Sequence, residues 1–135
     1  MPTVKGFFLL ELIVVMFISS LMIGVMSVSF DAIDRLKVQY FAEELSSVLS
    51  LGRYFARAYH TRVYCRYENE QFILMTTDKR LYTLKVPEKV RCEMTRDLYF
   101  TEDGRSGRAG SIRIESGAQK RRVSLGVGYG RVNLW

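Results

Sequence analysis

Histidine is almost missing from this chain of 135 residues, with His60 the only one. Cysteine is limited to Cys65 and Cys92, and no Cys-x-x-Cys spacing occurs. A zinc site needs several clustered nitrogen or sulfur ligands, so none is expected here, and no cofactor motif takes its place. His60 has no pattern of triad partners and reads as a residue at the end of a helix. Glu102-Asp103-Gly104 is too poor in oxygen ligands for a calcium loop. Proline is confined to Pro2 and Pro87, so nothing between them forces a helix to break. Charge is the most informative shortage: none falls between Leu12 and Phe30.

From Phe7 to Phe30 the chain is apolar or small, and Glu11 is its one charged residue. As a helix, this stretch would be ~36 Å long at ~1.5 Å per residue, enough for a hydrocarbon core of ~30 Å. An ordinary secretory signal fits poorly, because its apolar core is shorter and a small-x-small cleavage site should follow. A lone carboxylate in such a run is costly, roughly 2.5–3.5 kcal/mol at a helix centre, so Glu11 is expected to have a partner or a task. Lys5 lies on one side of the run and Arg35 and Lys37 on the other, so flanking charge does not decide orientation.

The residues around the start of the run, Lys5-Gly6-Phe7-Phe8-Leu9-Leu10-Glu11, resemble the class III signal of type IV pilins and pseudopilins. In that pattern a short basic leader ends in glycine, the first mature residue is phenylalanine and the fifth is glutamate. Phe8 departs from the commoner threonine. The resemblance implies a leader over 1–6, cleavage between Gly6 and Phe7 by a prepilin peptidase, and N-methylation of the new Phe7 amine. It further implies that Glu11 meets the N-terminal amine of a neighbouring subunit, since buried opposite charges offset each other's desolvation only when paired.

Beyond the run, Ile33, Leu36, Tyr40, Phe41, Leu45, Val48, Phe55 and Tyr59 recur at helical spacing. This predicts one helix from about Phe7 to about Tyr59, ~80 Å long, with a transmembrane half over 7–30 and an amphipathic half over 31–60. Gly52 is its weak point, costing ~1 kcal/mol relative to Ala. The small residues Ser19, Ser20, Gly24, Ser27 and Ser29 would let neighbouring helices approach.

From Thr61 the period changes to two. Alternation at Val63–Tyr67, Tyr82–Val86, Ile112–Ile114 and Val123–Val127, with turns such as Asn69-Glu70 and Asp78-Lys79, predicts an antiparallel meander over 61–135 with one face on the helix. The fold class is therefore α+β, a long helix laid on an antiparallel sheet. The segment Leu98 to Gly104, then Gly110-Ser-Ile-Arg-Ile, then Val123 to Val132, resembles the tail of minor pseudopilins of the GspH/FimT group and of the small competence pseudopilins. Gly126 to Gly130 reads as hairpin glycines, since a dinucleotide loop needs a helix after it.

All but one of the 20 Lys and Arg, and all but one of the 14 Asp and Glu, follow Phe30, so the C-terminal part carries the whole net charge of +6. Arg105, Arg108, Lys120, Arg121 and Arg122, with Arg113 and Arg131, are candidate phosphate contacts for DNA, or a solvated cluster at strand ends. Cys65 and Cys92 are either a disulfide, worth roughly 3–4 kcal/mol, or two buried free thiols. The functional expectation is a minor pilin or pseudopilin, a structural subunit and not an enzyme. It would be anchored in the cytoplasmic membrane with its sheet domain outside, and would partner other pilin subunits, the peptidase and an assembly platform. DNA uptake, type II secretion and a type IV pilus all remain open as the machine served. A single-pass anchored protein whose basic domain binds DNA or wall polymer is the alternative.

Overall fold

The computed structural model describes residues 4–128 and 131–135. One helix, α1, runs Val4–Ala58. Eight strands follow: β1 Val63–Glu68, β2 Gln71–Met75, β3 Arg80–Lys85, β4 Arg91–Met94, β5 Leu98–Phe100, β6 Gly110–Ser116, β7 Gln119–Leu125 and β8 Val132–Leu134. The chain divides into two compact units, Met1–Ile33 and Asp34–Trp135.

In the first unit α1 has every described side chain from Gly6 to Phe30 exposed. The hydroxyls of Ser19 and Ser27 donate to the carbonyls of Val15 at 2.8 Å and Gly24 at 2.9 Å. These two hydroxyls are thereby satisfied within the helix, as a span in lipid requires of its polar groups.

In the second unit the end of α1 carries the core's helical face: Val38, Phe41, Ala42, Leu45, Val48, Leu49 and Ala56 are buried. This corrects the apolar stripe read from the sequence. Phe41, Leu45 and Val48 belong to it, but Ile33, Leu36, Tyr40 and Tyr59 are exposed. Large apolar side chains drew the stripe toward themselves, whereas the true face is completed by Ala42, Gly52 and Ala56, which admit the sheet closely. A Cβ on Gly52 would sit 3.0 Å from a methyl of Leu74 and 3.4 Å from the ring of Phe100. Gly52 is thus a packing position rather than a defect.

The helix ends in a left-handed cap. His60 has φ 47°, and the Thr61 amide donates to the Ala56 carbonyl at 3.2 Å, the long-range bond of a Schellman motif. The turn at Asn69-Glu70 has φ 51° and 57°, the type I′ geometry that a two-residue hairpin prefers.

The strands form two four-stranded sheets, β3-β2-β1-β5 and β4-β6-β7-β8, rather than the single meander that the alternation suggested. Every pairing is antiparallel. The break falls at Pro87, which has no N–H to extend a ladder, and at Lys89, whose φ is 67°. The chain leaves the first sheet there, and β5 later returns to pair with β1. Buried residues of α1 and both sheets make one core, in which Phe41 faces Phe72 at 6.2 Å between ring centroids.

Three glycines settle the β5–β6 loop. Gly104, at φ 73°, lies against Arg53 and Arg57, and its carbonyl accepts a bond from Arg53 Nε at 3.1 Å. Gly107 lies where a Cβ would enter the ring of Tyr99, and Gly110 lies against Leu98. Between them the buried Ser106 bridges to Phe100 on one side and Gly128 on the other.

Candidate functional site

Two regions carry the residues singled out from the sequence. The first is the start of α1. Gly6, Phe7 and Glu11 all lie in the helix, which begins at Val4, and all three are exposed. Phe7 and Glu11 are four apart, hence on one helical face, with Cβ atoms roughly 5–6 Å apart. No ion pair to Glu11 occurs among the described residues. A Cβ on Gly6 or on Gly24 would meet nothing within 4 Å, so packing within this chain explains neither glycine, although each costs a helix ~1 kcal/mol.

The second region is the outward face of the sheet β4-β6-β7-β8. Its register sets Glu93 opposite Arg113, and Arg113 opposite Arg122. Trp135 is locked beside Arg122 by two backbone hydrogen bonds of 3.0 and 2.9 Å. The next row is Arg91, Glu115 and Lys120. Arg113 pairs with Glu93, and Lys120 with Glu115, each at 3.5 Å. These pairs are largely exposed and therefore weak. Arg122 has no ion pair among the described residues. Trp135 is 71% exposed and its indole Nε1 donates to Ser124 Oγ at 3.3 Å. Between the rows lies an open cleft of about 400 Å³ lined by Arg113, Glu115, Lys120, Arg121, Arg122 and Trp135.

The basic residues expected to act together are therefore divided. Lys120 and Arg122 share the outward face. Arg121 falls on the opposite phase of β7, across from the buried Ile114, and also lines a small recess with Gln39, Ala42, Glu43 and Leu134. Arg105 and Arg108 lie in the β5–β6 loop, near the Gly110 end of β6, whereas Lys120 pairs with Glu115 near the other end. At ~3.4 Å per residue the two ends are ~17 Å apart. Reading by sequence run missed Trp135 and underweighted Arg113. The signal available was the single tryptophan in strand phase with Asn133, and an arginine between Ile112 and Ile114.

Cys65 and Cys92 stand on different sheets, in β1 and β4, as buried free thiols. Burial pushes each thiol up to about 12, with the carboxylate of Asp97 adding to the effect at Cys65.

The fold matches solved structures across most of the chain. The type IV minor pilin FimU of Pseudomonas aeruginosa shares 16% identity over 75% of this chain and 90% of its own, with a TM-score of 0.64. The minor pseudopilin EpsH from the Type 2 Secretion System of Vibrio cholerae shares 12% over 73% of this chain and 96% of its own, with a TM-score of 0.63. No family model and no curated protein sequence matches the chain. At these identities the likeness establishes the fold: a long N-terminal helix packed on antiparallel sheets, as in minor pilins and pseudopilins.

Proposed function

We propose that this chain is a minor pilin or pseudopilin, a structural subunit that enters a pilin-like filament through α1. The observation that carries the proposal is Glu11: one carboxylate in an apolar helix exposed on every side, four residues after Phe7 and five after a glycine that the packing does not require. A surface so apolar must be covered by lipid or by other helices, and a carboxylate placed there needs a cation.

In this reading the precursor sits in the membrane through residues 7–30. A prepilin peptidase cuts between Gly6 and Phe7, and the Phe7 amine is N-methylated. Glu11 then receives the amine of a neighbouring subunit, which fixes the axial register as α1 passes from lipid into a bundle of helices. Gly24 and the neighbouring serines allow close approach there. The role is mechanical, with the domain formed by residues 34–135 facing outward and an assembly platform supplying the work.

The test is the mass of the N-terminal peptide of membrane-extracted protein, with and without a prepilin peptidase. A chain beginning at Phe7 and heavier by one methyl group is expected. A chain still beginning at Met1 or Pro2 with the peptidase present overturns the reading and leaves a single-pass anchored protein.

A further inference from the structure

We infer that the outward face of β4-β6-β7-β8 is a platform for a single strand of nucleic acid, with the Trp135 indole as its stacking surface and Arg113, Lys120 and Arg122 as its phosphate contacts. The argument begins with charge. Four cations and one carboxylate line the cleft. Arg122, at its centre, carries no ion pair among the described residues, while Arg113 and Lys120 are held only by exposed pairs at 3.5 Å. A phosphate can displace such carboxylates at little cost, because exposed pairs are weak.

The aromatic ring decides the kind of polyanion. Trp135 is the only tryptophan in the chain and leaves most of its surface to solvent. It is held in place nonetheless, by two backbone bonds to Arg122 and a side-chain bond to Ser124. A fixed, exposed indole beside arginines offers a face for a base and donors for the adjoining phosphates. A bare phosphate polymer would use the cations and ignore the ring. A duplex keeps its bases stacked inside, out of reach of a ring on a sheet. One common RNA-binding module, a four-stranded sheet, stacks single-stranded bases on aromatic side chains in this way. The inference stands independently of the filament reading, since it needs only the second unit's surface.

The test uses the full chain in detergent micelles and a short thymidine oligonucleotide, with two readouts: anisotropy of the labelled strand and quenching of the native tryptophan emission. Because Trp135 is the sole tryptophan, quenching reports this cleft directly. Binding with quenching is expected, with a slope of log affinity on log salt of about −2 for three phosphate contacts. Trp135→Ala should weaken binding about 5- to 150-fold, whereas Trp135→Phe, which keeps a ring, should retain most of the affinity. Arg122→Ala should weaken binding and reduce the salt slope by about 0.7. Lys79→Ala with Arg80→Ala, at the β3 edge, should leave it unchanged. Far-UV circular dichroism checks that each variant is folded. Absence of quenching by the strand overturns the inference. So does a polyphosphate chain that binds as tightly and is indifferent to Trp135→Ala, a duplex that competes better than the single strand, or equal loss from the β3-edge variant.

Discussion

Glu11 is the residue whose surroundings match its chemistry least. Removing the carboxylate eases insertion, by up to roughly 2.5–3.5 kcal/mol on scales for a helix centre, so Glu11→Val should remain in the membrane. It should lose incorporation into filaments, because the amine of the incoming subunit loses its counter-charge. Comparing membrane and sheared-filament fractions of the two chains checks this; equal recovery in filaments would remove Glu11 from the registering role. The cysteines make a separate prediction. Their thiols are pushed up to about 12 by burial, against an ordinary value of 9.0. The unfolded chain therefore releases these protons earlier than the folded one. Stability is untouched below about pH 9 and falls as pH rises from there toward 12. Tyr67, raised chiefly by burial and then by Cys92 and Glu70, acts in the same direction. Urea unfolding at neutral and at alkaline pH should show the loss, and Cys65→Ala with Cys92→Ala should reduce it.

Among the elements, α1 shows how little the size of a side chain says about which face it occupies. The buried face of its second part is marked as much by Ala42, Gly52 and Ala56 as by Phe41 and Leu45. Gly52→Leu therefore tests the packing. It improves helix propensity by close to 1 kcal/mol, yet drives a side chain into Leu74 and Phe100, both fully buried. Overpacking of this kind costs roughly 1–3 kcal/mol, so a lower urea midpoint is expected; an unchanged or higher midpoint would mean that the sheet yields. The strands were legible for the same reason that the helical face was misphased. Alternation at Val63, Cys65, Ile112, Ile114, Val123 and Leu125 names the inward face of β1, β6 and β7, and these positions are all buried, whereas Tyr82 and Val127, in phase by the same alternation, are exposed. Alternation does not name partners. That β5 would return to β1, and β4 join β6, depends on Pro87 and on the glycine-bound loop at Gly104, Gly107 and Gly110, whose meaning lies in what each glycine touches.

At the scale of the whole molecule, the two units have opposite relations to water. The first exposes Phe7, Leu10, Phe17 and Ile23 among many others, while the second buries one core drawn from α1 and both sheets. A chain beginning at Asp34 keeps every residue of that core. It should therefore be soluble without detergent and unfold in a single cooperative urea transition, as domains of about this size usually do. Sedimentation and urea unfolding by two probes check the expectation, and aggregation or two separated transitions would refute it.

The long helix, its apolar opening with one carboxylate and the change to strand period at Thr61 were all legible before any folding was considered, whereas the state of the two cysteines was not. The legible features are local, written in neighbouring residues and in the periods 3.6 and 2. It took the folded chain to show that the strands form two sheets, that Gly52 is a contact, and that Arg113, Lys120, Arg121, Arg122 and Trp135 line one cleft while Arg105 and Arg108 lie in the β5–β6 loop. Cross-strand register, close approach and the meeting of side chains far apart in sequence are properties of pairs. A run of basic letters records that the charges exist. The sheet, by its cross-strand register and its alternation of faces, decides which of them meet in one cleft.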